Sequence, residues 1–175
     1  MLLLLWSCTG KVPADDTAET DTDTDTDTDT DTDTDTDEPG FHMAGTFHGG
    51  AIDLDCSLAT VRSAYAVGDT FTQLTVGCTD TSASDTPSAN LTISGETVGT
   101  YSDCASTEGD ALLTVGVGSD ASSCSLEGGT FDVELVAVDP VGTEDLHWSG
   151  TFHWEVGDTA LNGDFDVTGS CSSGC

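Results

Sequence analysis

From Gly40 onward the chain reads as short runs of β-branched and aromatic residues broken by Gly, Asp, Ser and Asn, the punctuation of strands and turns. The clearest alternation is Thr130-Phe131-Asp132-Val133-Glu134-Leu135-Val136-Ala137-Val138. Successive strand side chains point to opposite faces, so Phe131, Val133, Leu135 and Ala137 are expected on one face, with Asp132 and Glu134 on the other. The same reading places strands at 42–48, 51–56, 59–66, 70–77, 90–95, 97–102, 111–117, 130–138, 145–156 and 164–170. Gly129-Thr130-Phe131 and Gly163-Asp164-Phe165 each read as a turn glycine leading into a strand. No window of useful length carries the period of an amphipathic helix. Such a series of short strands predicts an all-β domain, an antiparallel β-sandwich or barrel, over residues 40–175.

The segment ahead of Pro39 has a different character. From Asp21 to Asp37 Asp and Thr alternate without a break, nine Asp and eight Thr. With almost no apolar side chain it cannot offset the entropy of ordering, which predicts a disordered acidic linker over residues 9–39. Alternation alone does not make it a strand, because Asp is depleted in strands and one face would be a row of like charges. Neighbouring carboxylates repel at this spacing, so the 31 residues from Thr9 to Pro39 would extend to at most about 100 Å. A sharper reading is calcium binding. Asp27 to Glu38 puts carboxylates at positions 1, 3, 5, 7, 9 and 12 of a twelve-residue window, as in an EF-hand loop. Thr32 stands where that loop needs glycine, and no helical pattern flanks the window, so only a loose calcium cloud is expected there.

Charge removes whole classes of function. The 33 Asp and Glu face only two cations, Lys11 and Arg62, for a formal charge of -31. Gripping phosphate needs Lys and Arg, so no nucleic-acid partner is expected. Acid-rich, lysine-poor composition also suits a salt-rich habitat, where hydrated carboxylates keep a surface soluble.

All four histidines fall in an internal repeat. Phe41-His42-Met43-Ala44-Gly45-Thr46-Phe47-His48 aligns with Leu146-His147-Trp148-Ser149-Gly150-Thr151-Phe152-His153, identical at five of eight positions. In strands His42, Ala44, Thr46 and His48 share a face, as do His147, Ser149, Thr151 and His153. If the copies pair antiparallel with Gly45 opposite Gly150, His42 meets His153 and His48 meets His147. Each pair, with an acid such as Glu155, is then a candidate zinc or copper site. The plainer expectation turns Met43, Phe47, Trp148, Phe152 and Trp154 inward and leaves the histidines solvated. An exposed Trp148 and Trp154 would instead offer an aromatic platform for a glycan, as in carbohydrate-binding modules; Gly150 and Phe152 on their face favour a core.

Seven cysteines become an even set once Cys8 is set aside. Cys56, Cys78, Cys104, Cys124, Cys171 and Cys175 suit three disulfides in an oxidising compartment. The connectivity is open, with Cys56–Cys78, Cys104–Cys124 and Cys171–Cys175 preferred. No C-x-x-C pair marks a zinc ribbon or a redox site.

Cys8 has another expected use. Met1 to Trp6 is an apolar run followed by Ser7-Cys8, too short to span a bilayer. Leu5-Trp6-Ser7-Cys8 resembles the lipobox of bacterial lipoproteins, which implies cleavage before Cys8 and a lipid on its thiol. The run lacks a basic segment and is shorter than a full signal, which reads as a start assigned too late, with more signal ahead of Met1. The resemblance divides the chain into a signal remnant with the lipidation site (1–8), the linker and the β-domain. Thr9 rather than Asp after the cysteine resembles outer-membrane sorting. It also implies a bacterial setting, in which the sequon Asn90-Leu91-Thr92 meets no matching glycosylation machinery.

Catalytic signatures are lacking. There is no G-x-S-x-G, H-E-x-x-H or phosphate-binding glycine loop in the chain. Acid pairs such as Asp53/Asp55 and Asp164/Asp166 resemble a glycosidase couple in composition only. The sequence therefore points to a non-catalytic cell-surface lipoprotein, membrane-attached, displaying a β-domain for structural purposes or for an extracellular glycan or protein ligand. The alternatives are a calcium- or zinc-binding module, or a secreted hydrolase.

Overall fold

The computed structural model describes residues 39–67, 72–141 and 145–171. Cys8, the linker through Glu38, the Asp27–Glu38 window and Cys175 lie outside the described residues. The described part is all-β: β1 (Gly40–Phe47), β2 (Gly50–Ser57), β3 (Arg62–Val67), β4 (Thr72–Thr79), β5 (Ser88–Ser94), β6 (Gly99–Tyr101), β7 (Ala111–Val117), β8 (Asp120–Ser123), a single-turn α1 (Cys124–Glu127), β9 (Thr130–Val141), β10 (Asp145–Val156) and β11 (Thr159–Cys171). All the expected strands are present. The additions are β8 and α1, which are too short to carry a period.

The strands form one curled sheet in the order β6-β9-β10-β11-β3-β4-β5-β7-β8, with the β1–β2 hairpin paired to β11. Pairing between strands is antiparallel except where Ser170 and Cys171 of β11 run parallel to Ala64 and Tyr65 of β3. The sheet forks at β11, whose earlier residues Ala160–Phe165 hold β1 and whose last residues hold β3. Two sections result: β2-β1-β11-β10-β9-β6, and β3-β4-β5-β7-β8.

Alternation drives both. Phe41, Met43, Leu54, Trp148, Phe152, Trp154, Leu161 and Phe165 of the first section are buried together with Leu74, Val76, Leu91, Ile93, Leu113 and Val115 of the second. Removing that much apolar surface from water is the main stabilising term. Trp148 and Trp154 are fully buried, and the Trp154 indole N–H donates to the Gly128 carbonyl at 2.9 Å. The aromatic pair therefore faces the core and offers no platform to a glycan.

Two local expectations change. Along β9 the register slips between Ser149 and Gly150 of its partner, so Leu135 opposes Gly150 while Ala137 opposes Ser149. Val136 is the extra residue, and it is exposed. The bulge turns Ala137 outward and brings Val138 inward beside Trp148, so the alternation read through Ala137 holds only to Leu135. Gly163 does not open a strand but sits within β11. A Cβ there would collide with the His42 carbonyl and the Phe152 ring; glycine is used for close packing, not for a turn.

Disulfides staple the domain where pairing is thin. Cys56 on β2 joins Cys78 on β4 with Cα atoms 5.8 Å apart, linking the two sections. Cys104 joins Cys124, also with Cα atoms 5.8 Å apart, fixing the β6–β7 loop to the start of α1. Cys171 is disulfide-bonded as well.

Candidate functional site

The histidine repeats do not pair with each other. Each copy runs antiparallel to β11, on opposite edges of it, so β1 and β10 run in the same direction with a strand between them. The register that would join His42 to His153 and His48 to His147 is absent. The repeat instead encodes two similar edges for one shared partner strand.

Three histidines lie on the outer face of the first section, each opposite a polar side chain. His42 opposes Asp55 and Asp164 in register. Its ring nitrogens lie 3.5 Å from Asp164 and 3.6 Å from Asp53. His147 Nε2 donates to Asp166 at 2.7 Å. His153 Nδ1 donates to Asn162 Oδ1 at 2.9 Å, while its Nε2 lies 3.6 Å from Glu155. Both acid pairs noted in the sequence, Asp53/Asp55 and Asp164/Asp166, belong to this face. The Asp164 carboxyl is pushed above the ordinary range, first by burial, with Asp55 and Asp166 adding to it and His42 opposing.

His42 and His153 reach a common feature all the same. Both line a shallow depression of about 560 Å³ with Asp132, Thr151, Asn162 and Asp164. Its floor is low because Ala44, Gly45 and Gly163 carry little or no side chain. Among the described residues no group of three or more His, Cys, Asp or Glu side chains is arranged to hold a metal ion. The carboxylates meet different nitrogens of different rings, so the face can hold protons and hydrogen bonds in many places without a convergent centre.

His48 behaves differently. It lies beyond the end of β1, in a two-residue turn where His48 (φ 49) and Gly49 (φ 78) both adopt left-handed backbone, the geometry of a tight hairpin. Its ring stacks on Phe47 at 4.1 Å between centroids. Nδ1 meets Asp120 of β8 and Nε2 meets Glu127 of α1, each at 2.7 Å. Carboxylates only accept, so both contacts are satisfied together when the ring is protonated and both its nitrogens donate. Those two hydrogen bonds raise its pKa above 6.5. Glu127 is held below its usual value, chiefly by a hydrogen bond from Ser122 and then by His48. The contact links the β1–β2 hairpin tip to the far edge of the second section. Asp120 and Glu127 carry no sequence signal, since their partner is over 70 residues away.

Comparison with family models, with curated proteins and with solved structures finds no match.

Proposed function

We propose that the chain is a cell-surface lipoprotein, anchored through Cys8, that holds a disulfide-stapled β-domain away from the membrane on its Asp/Thr linker. Its role is display or binding, not catalysis. One observation carries this reading: every described cysteine is in a disulfide. Such pairing belongs to an oxidising, extracytoplasmic compartment, where the lipobox-like Leu5-Trp6-Ser7-Cys8 assigns Cys8 a different fate.

Partition tests it. Expressed in a bacterial host that lipidates such proteins, the full chain is expected in the membrane fraction and extractable with detergent. Cys8→Ser is expected in the soluble extracytoplasmic fraction, with its disulfides intact. Equal partition of the two would remove the anchor. Zinc or calcium binding at the histidine face is the reading that a metal-dependent rise in melting temperature, lost with His42→Ala and His153→Ala, would put in its place.

A further inference from the structure

Arg62 stands apart in this chain. It is the only Lys or Arg among the described residues, yet its side chain makes no ion pair or hydrogen bond with them. All the ion pairs found there belong to histidines. In a molecule of charge -31, an arginine without a carboxylate partner is placed where the chain keeps its acids out. Strands β3, β4, β5 and β7 contain no Asp or Glu. Asp80, next to Thr79 at the end of β4, is turned into its own loop, where Oδ1 accepts from the Ser82 amide and hydroxyl at 2.7 Å.

Arg62 also borders a trough. Register sets Arg62, Gly77, Asn90 and Thr114 side by side across four strands, three steps of about 4.8 Å each. The trough holds about 290 Å³ and is lined by these residues with Ser88 and Thr79. Two glycines open it. A Cβ on Gly77 would come 3.3 Å from Asn90 Nδ2, and one on Gly116 would come 3.2 Å from the Ser88 hydroxyl. Both polar groups therefore lean over spaces left by missing side chains. Asn90 Oδ1 accepts from Thr92 at 3.4 Å, which leaves the amide N–H groups directed to the trough.

We infer that this trough, on the second section's outer face, is a binding site for a sugar carrying one carboxylate, with Arg62 as the carboxylate clamp. A guanidinium presents a planar fork of donors that fits a carboxylate in two parallel hydrogen bonds. Asn90, Ser88, Thr79 and Thr114 supply the mixed donors and acceptors that sugar hydroxyls need. The glycine floor lets the sugar ring lie close to the sheet. A ligand with many negative groups is repelled by the rest of the molecule, whereas a single carboxylate among neutral hydroxyls meets only the acid-free face. This site is separate from the histidine face and does not depend on the lipid anchor.

The test is calorimetric titration of the full chain with a disaccharide carrying one uronic acid, beside the same disaccharide with its carboxyl reduced to an alcohol. The uronic form is expected to bind at about 0.15 M salt, and the reduced form roughly tenfold to a hundredfold more weakly, the size of a charge-assisted hydrogen bond. Arg62→Ala should impose the same loss, and Arg62→Lys should recover part of it. Gly77→Val, which fills the trough and leaves Arg62 in place, should abolish binding. Circular dichroism of each variant checks that it folds. No binding of the uronic form, equal binding of both sugars, or full affinity in Gly77→Val would each overturn the site.

Discussion

The two outer faces of the sheet carry opposite chemistry over one shared core. Strands β2, β9, β10 and β11 place Asp53, Asp55, Asp132, Glu134, Asp139, Asp145, Glu155, Asp164 and Asp166 outward, with His42 of β1 and His147 and His153 of β10 among them. The outward positions of β3, β4, β5 and β7 are Thr, Ser, Asn, Gln, Gly, Ala and Leu, with Arg62. Burial does not require this difference, because the inward residues are apolar on both sides. High net charge keeps a chain soluble wherever the charges sit. The acid-free face is therefore the one whose composition calls for a specific explanation, and the histidine–acid face is the one that solubility alone accounts for.

The strongest way to separate the two sections is to cut the covalent link between them. Replacing Cys56 and Cys78 together by Ala removes the bond from β2 to β4, and unfolding stability in urea should fall by about 2–5 kcal/mol. A loss within error would mean that the fork at β11 holds the sections without help.

Glycines sharpen the comparison at the next scale. Gly163→Val drives a side chain into the Phe152 ring and the His42 carbonyl, and should cost about 1–3 kcal/mol or more as overpacking. Gly77→Val presses closely only on the movable Asn90 amide, with the Ala89 and Arg62 carbonyls at ordinary contact distance, and should stay within about 0.5 kcal/mol of the parent. Both are read from denaturant midpoints. Similar costs at the two positions would contradict the contrast between a packed and an open strand face.

The smallest effect concerns His48, which bridges the sections through Asp120 and Glu127. The folded state holds its proton more tightly than the unfolded chain does. The contact should therefore add stability fully below pH 6.5 and lose it as pH rises through the raised folded value. In His48→Ala this fall in stability across neutral pH should be reduced, as measured by thermal melts at a series of pH values. An unchanged pH profile would show that the imidazolium clamp contributes nothing.

Much of the fold was legible because alternation reports burial directly. Phe131, Val133 and Leu135 and the inward Trp148 and Phe152 follow from local pattern; spacing left the cysteine connectivity open, and the preferred Cys56–Cys78 and Cys104–Cys124 pairs are the ones the structure forms. The errors share a cause. The bulge at Val136 and the position of Gly163 depend on which strand lies alongside, and similarity between the two histidine segments reports a common partner, not mutual pairing. The trough is a subtler case. Arg62, Gly77, Asn90 and Thr114 are each visible in the sequence, but only register makes them neighbours. The signal that pointed to them was an absence: no acid in four strands of a very acidic chain.

On the proposed reading Cys8 carries lipid while the described cysteines hold the β-domain together. An intact mass of the full protein, taken from the membrane fraction of its own host, tests it most directly. The expected species begins at Cys8, carries acyl chains, and is lighter than the reduced chain by two hydrogens for each disulfide. A soluble species without acyl chains, with the Cys8 thiol free or in a disulfide, would contradict it.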